Sequence, residues 1–494
     1  MNNSLSENKY YNPKNFQVPI IAVITLSILL LVGPTSMTLN AYAQGNTANQ
    51  AIGQAQSSTQ LGVCVSGTGT LISCNNLNAQ NQANSGSNAL AQQGGSGGNT
   101  ANQAIGQAQS SSQNALCVSG TGTFVACNNL NSQSQTNTGN NALAQQGGSG
   151  SGSGKSGSGS GKGGNSANQG IGQSQSSNQN SGVVSGGNTA NSGNNQNTQS
   201  QTNTGNNAAA QSGGSGKGGN SANQGIGQSQ SSNQNSGVVS GGNTANSGNN
   251  QNTQSQTNTG NNAAAQSGGS GKGGNSANQG IGQSQTSNQN AQCVSGGSTA
   301  NSCNNTSNQN QANSGSNAVG QQGGSGKGSK GGNSANQGIG QSQTSNQNAQ
   351  CVSGGNVADS CNNTSTQNQA NTGNNAAAQS GGSGKGGNSA NQGIGQSQTS
   401  NQNAQCVAGG SLSNSCSNTS TQNQANSGSN AAGQQGGSGG GSGSGGNSAN
   451  QGIGQSQTSN QNAQCVSGKD AIVSCDNESF QNQVNSGNNA LGQQ

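Results

Sequence analysis

The sequence predicts an all-β repeat protein: a β-solenoid or cross-β stack of eight 49-residue units with flexible Gly/Ser connectors. Three observations predict this fold: a unit of constant length recurs, residue types alternate with period two, and apolar side chains are too scarce for an ordinary core. Of the 494 residues, 24% are hydrophobic and 1% aromatic, while 90 are glycine. The alternative that this composition leaves open is a largely disordered chain.

The N-terminal segment, residues 1–43, has the features of a secretory signal peptide. Lys9 and Lys14 precede an apolar run over 18–32, and Ala41-Tyr42-Ala43 forms a cleavage site before Gln44. The alternative is a membrane anchor, but a spanning helix needs about 20 apolar residues. No later segment is apolar enough to cross a bilayer. We therefore expect a protein that is secreted, extracellular or cell-surface-associated, with no transmembrane anchor in the mature chain.

A unit that begins Gly-Asn-(Thr/Ser)-Ala-Asn-Gln recurs eight times, always with the same length. The eight repeats are 45–93, 98–146, 164–212, 219–267, 274–322, 332–380, 387–435 and 446–494. The Gly/Ser linkers between them are 94–97, 147–163, 213–218, 268–273, 323–331, 381–386 and 436–445. Linker length varies while unit length does not, as expected if the units are held in register and the linkers are loops. Recent duplication is the alternative explanation, since the third and fourth units are identical.

Alternation within the unit predicts β-strands. In the fifth unit, alternate positions of the first half carry the larger amides and the aliphatic residues: Asn275, Ala277, Gln279, Ile281, Gln283, Gln285, Ser287, Gln289, Ala291 and Cys293. Segregation with period two is the signature of a strand, and a helix would scatter these residues around its axis. We expect several short strands broken at Gly-containing turns. Because one unit buries too little to fold alone, we expect stacked units joined by backbone hydrogen bonds and amide ladders.

Twelve cysteines form six pairs, each with a separation of ten residues. The pairs are Cys64/Cys74, Cys117/Cys127, Cys293/Cys303, Cys351/Cys361, Cys406/Cys416 and Cys465/Cys475. In the third and fourth units both members are absent together, which predicts an intra-unit disulfide closing a Gly-bearing hairpin in an exported chain. A metal site is the alternative, but no His or nearby acid completes a set of four ligands. Cysteine catalysis would also lack a histidine base.

Two further signals concern the last four units. Asn-x-Ser/Thr triplets follow the second cysteine and predict glycosylation on exposed turns, unless they arise by chance in so Asn-rich a chain. The acceptors are Asn304, Asn305, Asn362, Asn363, Asn418 and Asn477.

The eighth unit alone carries several charges and Phe480, so we expect it to act as a cap that ends the stack, with ordinary sequence drift as the alternative.

Segments such as residues 311–318 and 332–335 resemble the Gln-x-Gly-x-x-Asn-x-Ala-x-x-x-Gln rhythm of curlin repeats, the subunits of bacterial curli fibres. The resemblance covers about half of each unit. It implies strand-turn-strand units that stack into an extracellular amyloid used in adhesion and biofilm matrix. It also implies that Gln311, Asn317 and Gln321 are ladder residues.

The leading functional hypothesis is therefore a structural protein of the cell exterior that self-associates through Gln/Asn-rich strands. One alternative is a monomeric solenoid that binds ice, glycan or mineral through rows such as Thr202, Asn203 and Thr204, with cell-surface glycan or matrix components as partners. Another is a disordered, glycosylated surface spacer. We expect no enzyme, cofactor or metal, since histidine is absent and acids are few. We expect no nucleic-acid partner either, because a net charge of +5 is too dilute.

Overall fold

The structure is a computed structural model, and it describes residues 47–93 except Gly69, 99–146, 165–212, 220–267, 275–322, 333–380, 388–435 and 447–493. The predicted signal peptide and the predicted flexible linkers lie outside these residues. Within them, each 49-residue unit forms one coil of a β-solenoid. Every coil contributes one strand to each of four parallel eight-stranded sheets, and consecutive coils are neighbours in all four. The predicted all-β repeat fold is confirmed.

The four sheets are named here in the order in which each coil visits them. The long sheet contains Thr47–Ser66, Asn99–Ser119, Asn165–Ser185, Asn220–Ser240, Asn275–Ser295, Asn333–Ser353, Asn388–Ala408 and Asn447–Ser467. The corner sheet contains Thr70–Ser73, Gly122–Ala126, Asn188–Ala190, Thr244–Ala245, Thr299–Ala300, Val357–Ala358, Leu412–Ser413 and Ala471–Ile472. The middle sheet contains Asn76–Asn84, Asn129–Asn137, Asn195–Asn203, Asn250–Asn258, Asn305–Asn313, Asn363–Asn371, Asn418–Asn426 and Asn477–Asn485. The short sheet contains Asn88–Gln93, Asn141–Gln146, Asn207–Ser212, Asn262–Ser267, Asn317–Gln322, Asn375–Ser380, Asn430–Gln435 and Asn489–Gln493.

Register is set by the constant unit length. Each strand residue pairs with the residue at the same place in the next unit, for example Ile226 with Ile281 and Gln254 with Gln309. A shift by one residue would turn every inward side chain outward, so a change of unit length is costly. The stacking that the sequence predicts therefore occurs between coils of one chain.

The long sheet forms one layer, and the middle and short sheets form the layer that faces it. Gln283 of the long sheet donates to the backbone carbonyl of Ala312 in its own coil, at 3.2 Å. Gln311 of the middle sheet donates across to the carbonyl of Ser342 in the following coil, at 2.9 Å. The two layers therefore interleave, with the middle and short strands of one coil lying between the long strands of that coil and the next.

The interior between the layers is mostly amide, with three narrow apolar columns. The isoleucines at the eighth place of each unit form one column, which is buried in the second to seventh coils, with Ile281 at 2% exposure. A second column stacks alanine with Leu90, Leu143 and Val319. The third runs along the corner and contains the cysteines, together with valines in the third and fourth units. Burial of these residues supplies the hydrophobic contribution that a single unit lacks.

Strand length in the first half of each unit differs from the sequence prediction. This half is one continuous strand of about 21 residues rather than several short strands, as Asn275–Ser295 shows. Gly280 and Gly282 lie inside that strand instead of at turns. A parallel ladder on both sides holds these glycines in the extended conformation. Their partners in both adjacent coils are also glycines.

The predicted hairpin at each pair of cysteines is wrong. In the second coil, Cys117 lies in the long strand Asn99–Ser119, whereas Cys127 follows the corner strand Gly122–Ala126 as a bend residue. These two strands belong to different sheets and pair only with neighbouring coils, so the chain between Cys117 and Cys127 is not a β-hairpin. The disulfide instead spans the corner at which the chain leaves the long sheet and enters the opposite layer.

Candidate self-association surfaces and disulfide column

Amide ladders are the main interaction inside the stack. The side chain of Gln283 is an example: its Nε2 donates to Gln228 Oε1 at 2.8 Å, and its Oε1 accepts from Gln341 Nε2 at 2.8 Å. The second Nε2 hydrogen binds the carbonyl across the layers. Both donors and an acceptor are thus satisfied, which is what a buried amide requires to avoid a desolvation penalty.

The ladder residues implied by the curlin resemblance lie in such rows. Gln311, Asn317 and Gln321 bind their equivalents in adjacent coils at 3.0, 2.9 and 2.8 Å, respectively. All three are buried. Their predicted ladder role is confirmed.

The last coil ends the ladders on an open surface. Gln481 and Gln483 of its middle strand are exposed and donate to Gln422 and Gln424 of the preceding coil at 3.0 and 3.1 Å. One coil earlier, Gln422 uses its second hydrogen on the carbonyl of Thr458, at 3.0 Å. Within the described residues, Gln481 and Gln483 make no such second bond. The last coil therefore presents unused amide donors.

The first coil lies at the opposite end, where no strand among the described residues pairs with the outer edge of its long strand. Gln54 Nε2 donates to the carbonyl of Ala83 at 3.4 Å, whereas Gln107 of the second coil donates both across the layers and to Gln54 Oε1. One hydrogen of Gln54 thus has no ladder acceptor among the described residues. Gln455 lies at the same place in the last coil, and its Oε1 accepts no hydrogen bond among the described residues. The two ends are therefore complementary, because the free acceptor at the last coil matches the free hydrogen at the first.

All six predicted disulfides are present. They are Cys64–Cys74, Cys117–Cys127, Cys293–Cys303, Cys351–Cys361, Cys406–Cys416 and Cys465–Cys475. Each bond joins Cα atoms 5.9 to 6.1 Å apart. In the interior the bond is fully buried, as Cys117 and Cys127 show with 0% exposure each. This burial follows from the position of the corner column between the two layers.

The corner column explains why two units lost both cysteines together. The second cysteine of each pair has a positive φ, such as 60° at Cys127 and 56° at Cys303. Units without the bond place Gly193 and Gly248 there, at φ of 69° and 68°, and fill the facing site with valine. Glycine adopts this left-handed conformation without strain. A cysteine therefore occupies the strained position only where its disulfide partner is present.

Disulfides of two neighbouring coils lie close together in the column. The Sγ atoms of Cys351, Cys361 and Cys406 all lie within 4.8 Å of each other. Stacking thus brings cysteines of two units together. The sequence argument against a metal site considered only the ligands within one unit and did not include this possibility. All three sulfurs belong to disulfides, however, and a cysteine binds metal as a thiolate.

The predicted glycan acceptors fall into two groups. Asn305, Asn363 and Asn418 are at most 1% exposed and lie in an asparagine ladder. Asn305 Nδ2, for instance, donates to Asn348 O at 2.8 Å and Asn363 Oδ1 at 2.9 Å. A glycan on this nitrogen would remove both bonds, so the expectation of exposed turns is wrong for these three residues.

Two of the other acceptors lie on the outside. Asn304 and Asn362 are half-buried, and their Nδ2 atoms donate to the carbonyls of Asp359 and Asn414, both at 3.0 Å. Asn477 belongs to the same asparagine ladder as Asn418, from which it accepts a hydrogen bond at 2.8 Å, and it is exposed because it lies in the last coil. Their glycosylation stays a prediction.

The row proposed for ice, glycan or mineral does not form one surface. Thr202 and Thr204 lie outward, but Asn203 is fully buried and donates to Asn258 Oδ1 at 2.8 Å. The outward amides are found elsewhere, for example Asn278, which donates to Asn223 on the outer face of the long sheet at 3.0 Å.

These features define a parallel β-solenoid with amide ladders and a disulfide column. Among the described residues, its first and last coils each have one edge without a neighbouring coil, and these two edges are complementary. Comparisons with protein-family models, curated proteins and solved structures found no match. The curlin resemblance accordingly stays a prediction from the sequence. Among the described residues, no helical segment has the length and apolar character needed to cross a bilayer.

Proposed function

We propose that this chain is a secreted structural protein of the cell exterior whose copies join end to end through the open edges of the first and last coils. The single observation that carries the proposal is the complementarity of those ends. In a joined pair, Gln481 and Gln483 would reach the carbonyls of Ser57 and Ala55 of a second copy. Within the chain, Gln422 and Gln424 donate in the same way to the carbonyls of Thr458 and Ser456 in the following coil. Ser57 and Ala55 lie at the same places in the unit as Thr458 and Ser456.

The inward residues of the two ends also match. On the long strand, Ile52, Gln54 and Gln56 of the first coil occupy the same places as Ile453, Gln455 and Gln457 of the last. A ladder would therefore continue across a junction without a change of residue type.

At two places, the first two coils and the last coil carry leucine, isoleucine or phenylalanine, whereas the coils between them carry smaller residues. On the short strand, Leu491 is 51% exposed, while Leu90 and Leu143 at the same place are 4% exposed. The third, fourth, sixth and seventh coils have alanine there. On the corner strand, the place of Ile472 is taken by Leu71 and Phe124 in the first two coils.

Joining the last coil to a first coil would place the apolar residues at both of these places beside one another. The eighth coil is accordingly better suited to continue a stack than to cap it. A head-to-tail contact of this kind does not close on itself, so it gives linear filaments.

Location and role follow from other features. The predicted signal peptide and the six disulfides support export, because disulfides persist in oxidising compartments. A filament of satisfied amide ladders is mechanically and thermodynamically robust. Together with the curlin resemblance, this supports a role in an extracellular matrix, in adhesion or in a biofilm.

A pair of lysine variants tests the proposal. Ser479 lies on the inward face of the last middle strand and is exposed at the end, and its hydroxyl makes no hydrogen bond within the described residues. Its neighbour Phe480 lies on the outward face and is 54% exposed. We expect Ser479→Lys to abolish filament formation, because the junction would bury an unpaired charge at a cost of several kcal/mol. Phe480→Lys adds the same charge outside the junction and should leave assembly intact.

The measurement is sedimentation velocity with electron microscopy on the mature, oxidised chain over a range of concentrations. Filaments in the parent and in Phe480→Lys, with monomeric Ser479→Lys of unchanged circular dichroism, support the proposal. A parent that stays monomeric at all concentrations contradicts it.

The outward asparagine ladders favour a second candidate, a monomer that binds a hydroxyl-rich polymer. Asn346 and Asn348 of the long strand bind Asn288 and Asn290 at 2.8 and 2.9 Å, and the pattern repeats from coil to coil. Such regular amides suit a glycan of similar repeat. Co-sedimentation of the monomer with insoluble polysaccharide, in the absence of filaments, would favour this function.

A further inference from the structure

The disulfide column reaches both ends of the solenoid. In the interior, Cys351, Cys361 and Cys416 are at most 1% exposed. The terminal pairs, Cys64–Cys74 in the first coil and Cys465–Cys475 in the last, are half-buried instead. Only these outer disulfides combine solvent access with an open side along the stacking axis.

The column is interrupted between the second and the fifth coil. Val183 with Gly193, and Val238 with Gly248, occupy the cysteine places of the third and fourth coils. An exchange reaction therefore cannot pass from one end of a chain to the other. Each end has its own short run of disulfides.

We propose that end-to-end junctions become covalent by thiol–disulfide exchange between Cys465–Cys475 of one copy and Cys64–Cys74 of the next. This inference rests on the end-to-end contact proposed above. In-register stacking places Cys64 against Cys465, as Cys351 is placed against Cys406 within a chain. The Sγ atoms of Cys351 and Cys406 lie within 4.8 Å of each other. Adjacent strands are about 4.7–4.9 Å apart, inside the Cα range that disulfides span.

The reaction needs a small thiol as catalyst and no net oxidant. The thiolate of glutathione attacks Cys475, forms a mixed disulfide there and releases the thiolate of Cys465. That thiolate attacks Cys64 of the second copy, which forms the Cys465–Cys64 bond and releases the thiolate of Cys74. Cys74 then attacks the mixed disulfide at Cys475 and regenerates the glutathione thiolate. Two disulfides within chains become two between chains, and electrons balance.

The chain supplies its own matched substitutions for a test. Cys64→Val with Cys74→Gly copies the third unit and removes the disulfide at one end only. Cys351→Val with Cys361→Gly makes the same change in the interior. Both variants retain the ladder residues of the junction, so both are expected to form filaments.

Filaments of the parent and of both double variants are incubated with substoichiometric glutathione, quenched with an alkylating agent and run on non-reducing denaturing gels. We expect a series of covalent multimers from the parent and the interior variant, and monomer alone from the Cys64/Cys74 variant. Peptide mapping should find Cys465 linked to Cys64, or Cys475 linked to Cys74. Excess reductant should return all multimers to monomer.

Electron microscopy of the same samples separates the two ways of failing. If parent filaments are present but dissociate to monomer on the gel, or if the linked peptides come from interior cysteines, covalent joining is wrong and end-to-end assembly stands. If no filament forms before glutathione is added, the junction itself is wrong and the covalent link is overturned with it.

Discussion

Gln254→Leu is expected to lower the free energy of unfolding by about 3 kcal/mol or more, because several buried polar groups each lose a partner at about 1–3 kcal/mol. Gln254 is fully buried and donates to Gln199 Oε1 at 2.9 Å and to the carbonyl of Thr286 at 3.1 Å. It also accepts from Gln309 at 2.9 Å. Leucine has a similar size, so the loss measures the ladder rather than a cavity.

Gln251→Leu is the matched control. Gln251 lies on the same strand but is exposed, and the first two units carry Leu77 and Leu130 at its place. We expect little change in the urea midpoint of unfolding, which is measured from the loss of the β-type circular dichroism signal. Equal midpoints for the two leucine variants would mean that the amide ladders do not stabilise the stack.

Gly260→Ala is the second substitution with a large expected effect. Gly260 lies at the turn between the middle and short strands. A Cβ there would overlap the carbonyl oxygen of Gly205 in the preceding coil and lie 2.8 Å from Asn203 Nδ2. The backbone atoms cannot move away without breaking the spacing between coils. We expect a loss of about 1–3 kcal/mol, as for other overpacked interiors.

Gly282→Ala separates this clash from a general effect of alanine. Gly282 lies in the long strand with nothing within 4 Å of an added Cβ. Alanine should be neutral there or stabilise by about 0.4–1 kcal/mol, because it restricts the unfolded chain. Urea midpoints of the two variants, measured on oxidised monomer, check the pair. A loss of stability at Gly282 as large as at Gly260 would contradict the coil spacing.

The period-two pattern separated the two faces of the strands correctly, because alternation is a local property of a strand. It grouped Ile281 and Gln283 on one face, which the structure shows to be the buried one. Counting back from Gln309 puts Asn305 on the corresponding face of the middle strand. The glycan expectation failed at Asn305 because the triplet was considered without this alternation. The pattern carries no information on where the chain crosses between layers, so the continuous strand Asn275–Ser295 was not foreseen.

The candidate site was predicted only in part. Joint presence and loss of cysteines indicated the disulfides, since both partners must be present for a bond. The spacing of ten residues between Cys117 and Cys127 fits a hairpin and a corner equally well. The sequence therefore could not distinguish the predicted hairpin from the corner that the structure shows. Contact between disulfides of different coils depends on parallel in-register stacking, and so does the complementarity of the two ends. Neither follows from the residues of one unit, because a unit viewed alone has no neighbour.

Spin labels on adjacent coils test the central claim, parallel in-register stacking within one chain. Ser284 and Ser342 pair directly, and Ser397 occupies the same exposed place one coil further on. Ser284→Cys with Ser342→Cys, labelled and diluted into unlabelled chain, should show strong spin exchange at a strand spacing of about 4.8 Å. Ser284→Cys with Ser397→Cys, at about twice that spacing, should show only dipolar broadening. Sharp, non-interacting spectra from both pairs would contradict the stack.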